Sequence, residues 1–139
     1  MFRLAKPLPL PNRAGLSRTM HAAAGVRKEV RRKMAAEIWA ALGCRLPVRP
    51  FQWARIMVER HGIREPDEDN LRASVKALFD VLQPATASRA YGLGIIAGDD
   101  KRRLRQSVVH VQAAKLADQC TLVRIFSLTE EQFKKDGAI

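Results

Sequence analysis

The sequence predicts an α+β fold in which two main helices pack on a single mixed β-sheet. Three observations lead to this prediction. Two segments carry apolar residues at helical spacing, and three shorter segments are rich in β-branched and aromatic residues. Together with an N-terminal edge strand and a final helical turn, these segments give the order β-α-β-α-β-β-α. With 139 residues the chain can bury one hydrophobic core but not two, so residues 1–139 are expected to form one domain.

The N-terminal third contains the first predicted strand and the first predicted helix. Phe2–Ala5 is expected to be an edge strand, because prolines follow at positions 7, 9 and 11 and proline is confined to sheet edges. The first helix is predicted from about His21 to Leu42. Its inner face is expected to carry the apolar residues at every fourth position, which are Val26, Val30, Met34, Ile38 and Leu42.

The middle of the chain is predicted to contain a strand, a helix and a loop. Phe51–Arg60 is rich in aromatic and β-branched residues, and its second half is apolar on both faces, which favours a central strand. The second helix is predicted from about Asn70 to Leu82, since apolar residues recur there with the period of a helix. An Ala-, Ser- and Gly-rich loop is expected over Gln83–Gly94, ahead of the Gly98-Asp99-Asp100 segment.

Two more strands and a short helix are predicted near the C-terminus. The strands cover Ser107–Ala113 and Thr121–Leu128. Thr129 and Gln132 have the spacing of a capping box, which predicts a final helical turn. The two cysteines, Cys44 and Cys120, lack the spacing of a zinc site and are expected to be buried small hydrophobic residues.

The charge balance makes a polyanion the expected partner. Twenty-five Lys and Arg residues against fourteen Asp and Glu residues give a net charge of +11, and each cation that neutralises a phosphate releases counterions. Ribosomal-type and membrane-surface proteins share this property. The N-terminal segment has no apolar core of a signal peptide, and no apolar stretch is long enough to cross a membrane, so a cytoplasmic protein is expected. Gly92, Gly94 and Gly98 do not form a phosphate-binding loop, so no nucleotide cofactor is expected.

Acidic residues are concentrated in the middle of this basic chain. Residues 1–60 carry thirteen cations and three acids, whereas seven of the fourteen acids fall between residues 65 and 100. Metal-dependent phosphodiester cleavage needs this combination, because cations hold the backbone and carboxylates hold the ion that activates water. Mg²⁺ prefers oxygen ligands and needs only a few carboxylates.

Asp67 and Asp69 are the first candidate ligands. Pro66 favours an extended segment, in which both side chains project to the same side. Two carboxylates about 5 Å apart repel by roughly 3 kcal/mol at an effective dielectric constant near 20, which a bound cation would offset. The alternative is a solvated turn whose acids cap a helix and favour its dipole. The spacing alone leaves both interpretations open.

A longer motif resembles the RusA family of Holliday junction resolvases. The segment REPDEDNLRASVKALFDVL, followed by GIIAGDD, is similar to that family's Asp-x-Asp-Asn-Leu at a helix start, its Lys and Asp-x-Leu on the helix, and its Gly-rich loop ending in Asp-Asp. The similarity covers about Arg64–Asp100. It implies a homodimeric endonuclease of DNA recombination and repair that uses Mg²⁺, with Mn²⁺ as a substitute. Such an enzyme binds four-way junctions and cuts opposing strands by paired symmetric nicks.

The resemblance also implies site residues. Asp67, Asp69 and Asp100 match the family's metal-binding and catalytic aspartates, with Asp99 as a neighbouring ligand, and Asn70 matches the Asn that follows the pair. Lys76 matches the functional lysine, although it lies one helical turn further from Asn70 than in some relatives. The loop before Asp99 is also longer than in compact relatives. Residues expected to contact nucleic acid are Asn70, Arg72, Lys101, Arg102, Arg103, Arg105, Arg27 and Arg31.

Two other functions stay open at this point. One is a basic nucleic-acid-binding module that keeps the fold without the activity. The other is a structural RNA-binding protein of ribosomal type, which the central acids disfavour because a pure polyanion binder gains nothing from gathered carboxylates.

Overall fold

The structure of the chain is a computed structural model that describes residues 1–9 and 20–137. It is an α+β fold with one mixed four-stranded sheet and three helices, in the predicted order β-α-β-α-β-β-α. A short 3₁₀ turn, Leu116–Asp118, precedes the last strand. The elements are β1 (Phe2–Leu4), α1 (Met20–Ala41), β2 (Ala54–Gly62), α2 (Glu68–Leu82), β3 (Leu104–Gln112), β4 (Cys120–Ser127) and α3 (Glu130–Gly137).

The sheet has the strand order β1-β4-β2-β3. β2 is central, as predicted, and pairs antiparallel with β4 and parallel with β3. Parallel neighbours need a crossover connection, which is supplied here by α2 and the loop that follows it. β1 and β3 are the two edge strands, which confirms the edge position predicted for the N-terminal strand.

The core lies between one face of the sheet and the helices α1 and α2. Alternate residues of β2 are buried, and Ala54, Ile56 and Val58 face the helices. Met34 and Ile38 are buried on the predicted face of α1, while Val30 and Leu42 are partly exposed. The inner face of α2 predicted from its periodicity is confirmed at Val75, Leu78, Phe79 and Leu82, which are buried, whereas Leu71, the first residue of that face, is only partly buried. The side chain of Val26 and the proline at position 11 lie outside the described residues.

The capping box is confirmed at the start of α3. The backbone N–H of Gln132 donates to Thr129 Oγ1 at 3.1 Å, and the backbone N–H of Thr129 donates to Gln132 Oε1 at 2.9 Å. α3 packs beside β3, where the buried ring of Phe133 lies 3.8 Å from the Arg105 guanidinium carbon. This short helix therefore covers part of the sheet face opposite α1 and α2.

Some local predictions were wrong. β2 begins at Ala54 rather than Phe51, because Phe51 instead forms an isolated parallel bridge with Ile96. Cys44 is exposed rather than buried, since it follows the end of α1 in a left-handed conformation with φ of 60°. Cys120 is buried, as predicted. Within the described residues, no helix is long and apolar enough to span a membrane.

Candidate metal centre and nucleic-acid interface

The start of α2 contains the first pair of predicted metal ligands. Asp67 is the N-cap: its Oδ1 accepts from the Asn70 backbone N–H at 2.8 Å, and its Oδ2 accepts from Asn70 Nδ2 at 3.1 Å. The helix begins at Glu68, so the extended Asp67–Asp69 segment expected from Pro66 was wrong. The reason is that the Asp67 carboxylate satisfies a free N–H of the first turn and starts the helix at once.

The exposed face of α2 carries the rest of the motif. Asp69, Arg72 and Lys76 are exposed and recur at i, i+3 and i+7, which places them on one side of the helix. The side chains of Asp69 and Lys76, separated by about 10 Å along the axis, have no hydrogen bond or ion pair within the described residues. Arg72 forms an exposed ion pair with Glu68, with 2.9 Å between Nη2 and Oε1. Asp69 and Lys76 therefore keep their full capacity for a ligand.

The second aspartate pair lies in the turn before β3. Asp100 Oδ1 accepts from the Arg102 backbone N–H at 2.8 Å, and the Asp100 carbonyl accepts from the N–H groups of Arg103 and Leu104. These bonds fix the turn and leave Asp100 Oδ2 without a described partner. Asp99 is half-buried and makes no hydrogen bond or ion pair within the described part of the chain. Each of these two carboxylates thus has at least one oxygen available to a cation.

The two aspartate pairs lie at opposite ends of the sheet. β2 and β3 run parallel, and the Asp99–Asp100 turn precedes the end where both strands begin. Asp67 and Asp69 follow the other end of β2, and α2 then runs roughly 20 Å back from Asp69 to Leu82. The backbone N–H of Ile95, on the way to Asp99, donates to Leu82 O at 2.8 Å. Across the residues that are described, no three His, Cys, Asp or Glu side chains are grouped to hold a metal ion. One protomer therefore does not gather the four aspartates into a cluster.

The cations after Asp100 divide into two kinds. Lys101 and Arg102 are exposed, and their side chains have no partner among the described residues. Arg103 lies over the Trp53 ring at 5.6 Å and donates to Gln52 Oε1 at 3.4 Å. Arg105 stacks on Phe133 and thereby joins β3 to α3. It also donates to the carbonyl of Lys101 at 2.9 Å. Of the four, Lys101 and Arg102 are the most available to a phosphate.

On α1 the two residues expected to contact nucleic acid, Arg27 and Arg31, differ in their surroundings. Arg27 is exposed, as expected. Arg31 instead donates from Nε and Nη2 to Asp80 Oδ2, at 3.1 and 3.0 Å, and both side chains are largely buried. This ion pair joins α1 to α2. The guanidinium of Arg31, a residue expected to contact nucleic acid, is therefore engaged with a carboxylate within the protein.

Sequence reasoning missed a cationic groove beside α1. Lys28 and Arg32 line it, together with Tyr91 and the loop residues Ala87, Ser88 and Ala90. The basic spacing on α1 was visible in the sequence, but no local pattern could place the loop beside it.

Comparison of the chain with protein-family models, with curated proteins and with solved structures finds no match.

Proposed function

We propose that this chain is a Mg²⁺-dependent endodeoxyribonuclease of the RusA family that resolves four-way DNA junctions by paired nicks, acting in the cytoplasm in recombination and repair. The observation that carries the proposal is the Asp-x-Asp-Asn-Leu motif at the start of α2, with the Gly98-Asp99-Asp100 turn after it. The availability of the Asp69, Asp99 and Asp100 oxygens supports it.

The donor set fits a hard divalent cation. Mg²⁺ takes oxygen ligands, often one or two carboxylates, and keeps several waters. Asp69 and Asp99 offer unpaired carboxylates, and Asp100 offers one further oxygen. When bound, such an ion would supply Lewis-acid polarisation of the phosphate and activation of water. On the protein side, Lys76 and Lys101 are exposed cations suited to hold the phosphate backbone.

A homodimer would bring the two aspartate pairs close together. β3 is an edge strand of nine residues, and its outer side has no partner strand within the described sheet. If two copies pair β3 antiparallel across a two-fold axis, the end of β2 in one copy lies beside the start of β3 in the other. β2 of one copy would then be two strand spacings, roughly 10 Å, from the partner's β3. Asp67 and Asp69 of one copy would approach Asp99 and Asp100 of the other.

The test is cleavage of a synthetic four-way junction with and without Mg²⁺. Asp69→Asn and Asp100→Asn should each reduce cleavage by roughly a hundredfold or more, since several kcal/mol of transition-state stabilisation are lost. Junction binding should be unchanged or tighter, because negative charge near phosphate has been removed. Asp118→Asn is the matched control: Asp118 is an exposed acid of the 3₁₀ turn, and full cleavage is expected.

One observation favours the alternative of a basic binding module without activity. Within a protomer the aspartate pairs are apart, and Asp67 already serves as the cap of α2. That alternative predicts junction binding with no cleavage in Mg²⁺ or Mn²⁺, and no effect of Asp100→Asn beyond tighter binding. Cleavage by the wild-type chain, together with its loss in both Asp69→Asn and Asp100→Asn, would exclude this alternative.

A further inference from the structure

The groove between α1 and the loop after α2 is a second place suited to an anionic ligand. It has a volume of about 400 Å³ and is lined by Lys28, Arg32, Ala87, Ser88, Ala90 and Tyr91. Among the described residues, its lining contains two cations, two hydroxyl groups and no acid. The loop side is shaped by a turn in which the Arg89 N–H donates to the carbonyl and the hydroxyl of Thr86.

Two of the four polar side chains of this groove are uncommitted within the described residues, and a third, the Ser88 hydroxyl, shares an exposed 3.3 Å hydrogen bond with the Thr86 hydroxyl. In the part of the chain that is described, neither the Lys28 ammonium nor the Tyr91 hydroxyl has a hydrogen bond or ion pair. Arg32 pairs with Glu29 at 3.4 Å, but both side chains are strongly exposed, so the pair is weak and Arg32 is free to move to another anion. The Tyr91 ring packs against the hydrophobic core, which holds the base of the groove in place.

The spacing of the two cations suits a polyanion. Lys28 and Arg32 are one helical turn apart, about 6 Å along the axis. Phosphates two nucleotides apart on one DNA strand are separated by about 7 Å along the duplex. Both cations can therefore meet the same strand, with the Tyr91 and Ser88 hydroxyls as hydrogen-bond donors to phosphate oxygens.

The position of the groove extends the cationic surface at one end of the molecule. Its loop follows the C-terminus of α2, where Leu93 N–H donates to Val81 O at 2.8 Å. That is the end of the sheet at which β2 and β3 begin, and Lys101 and Arg102 lie at the same end. The Asp67–Asp69 pair lies at the other end.

We propose that the groove formed by Lys28, Arg32, Ser88 and Tyr91 binds the sugar–phosphate backbone of a DNA duplex arm, at the end of the protein that carries Asp100. This rests on the proposed function for the identity of the nucleic acid. The groove thus positions the arm, and no part of the cleavage step is assigned to it.

The experiment measures DNA affinity of the full chain by fluorescence anisotropy in EDTA, so that no cleavage is needed, over a series of NaCl concentrations. The double variant Lys28→Gln/Arg32→Gln is compared with Lys134→Gln/Lys135→Gln. The control pair lies on α3 and is also exposed, and its two substitutions remove the same charge. Each control lysine pairs with a glutamate one turn away, as Arg32 does with Glu29.

The groove variant should lose roughly tenfold or more in affinity, and the slope of log K against log salt should become shallower by about 2, while the control variant stays close to wild type. Tyr91→Phe, which keeps the packed ring, should weaken binding severalfold with an unchanged circular dichroism spectrum.

Equal affinities and slopes for the two double variants would overturn the groove proposal and leave the nuclease proposal standing. Competition by a free mononucleotide at the concentration of duplex phosphate would also overturn it, in favour of a small-molecule site. A wild-type chain that binds neither duplex nor junction at low salt would overturn both proposals.

Discussion

At the N-terminus of α2, the carboxylate of Asp67 is hydrogen-bonded within the protein. Both oxygens of Asp67 accept hydrogen bonds from Asn70, one from the backbone and one from the side-chain amide. A metal-binding role would use lone pairs that these bonds leave free, since each carboxylate oxygen can accept more than one contact. Asn70 thereby orients the Asp67 side chain, which is a reason for an Asn to follow such a pair.

The two roles of Asp67 are separable by two substitutions. Asp67→Asn keeps an N-cap acceptor and should change the free energy of unfolding by no more than about 0.5 kcal/mol, whereas Asp67→Ala should cost about 1 kcal/mol. If Asp67 also holds the metal, both variants should lose junction cleavage to a similar degree. Urea denaturation and cleavage assays on the same preparations measure this. Full cleavage by Asp67→Asn would restrict the residue to its capping role.

Most of the predicted site residues belong to a local motif, and the exposed side chains among them include Asp69, Lys76, Lys101 and Arg102. Their roles at the site stay predictions. The ion pair of Arg31 could not be predicted from the sequence, because its partner Asp80 lies 49 residues away on another helix. Charge patterns along one helix identify which cations point away from the core, but not which of them meet an acid on a neighbouring element.

At the scale of elements, the ion pair between Arg31 and Asp80 fixes α1 against α2. The side chains are only 13% and 17% exposed, so the loss of one partner leaves a poorly solvated charge. Arg31→Ala should therefore lower the free energy of unfolding by about 2 kcal/mol, between the values for exposed and buried pairs. Arg32→Ala, in an exposed pair on the same helix, is the control and should change it by less than about 0.5 kcal/mol. Alanine favours helix, so helix propensity cannot explain a loss.

A double-mutant cycle completes this test. If the pair acts as a unit, Arg31→Ala combined with Asp80→Ala should be clearly less destabilising than the sum of the two single changes. Additive effects, or similar small effects of Arg31→Ala and Arg32→Ala, would show that the contact contributes little to the packing of the helices.

Helices and strands could be predicted from the periodicity of apolar residues wherever one face of the element is regularly buried. α2 was predicted within two residues of its observed start, because its apolar face and its cap agree. β2 and β3 were misplaced at their N-terminal ends, by three residues each. There the chain is organised by contacts distant in sequence: Phe51 N–H donates to Ile95 O, and Ala54 N–H donates to Arg103 O. These hydrogen bonds depend on the crossover through α2, and no local sequence pattern predicts them.

At the scale of the whole molecule, the separation of the aspartate pairs is a consequence of topology. A parallel β2–β3 pair with one crossover puts residues after β2 and residues before β3 at opposite ends. Asp67 and Asp100 belong to one sequence motif, but the motif does not indicate how far apart the two residues lie in a protomer. A C₂ dimer through β3 would bring the pairs together twice, once on each side of the axis, and so supply two sites for the two scissile strands of a junction.

This dimer makes a prediction that an intrachain site does not. Asp69→Asn and Asp100→Asn proteins, each inactive alone, should regain nicking when they are mixed and allowed to exchange subunits. In the mixed dimer, one site combines the intact Asp69 of one copy with the intact Asp100 of the other, while the second site carries both substitutions. The product should be a junction nicked on one strand only, visible on a denaturing gel with each strand labelled in turn. Sites contained within one chain would give no activity in the mixture.

The surface of the dimer is testable through the exposed side chain of Val109, which is near the middle of β3. Val109→Lys places like charges from two copies close together across an antiparallel pair, which destabilises it. Sedimentation at micromolar concentration should change from a mass near twice 15.6 kDa to one near the monomer, with loss of cleavage and of the rescue in mixtures. Leu116→Lys, an exposed apolar residue of the 3₁₀ turn, is the matched control and should remain dimeric and active. A wild-type chain that is monomeric and still cuts both strands symmetrically would contradict the composite site. A dimer that is unaffected by Val109→Lys would place the interface elsewhere.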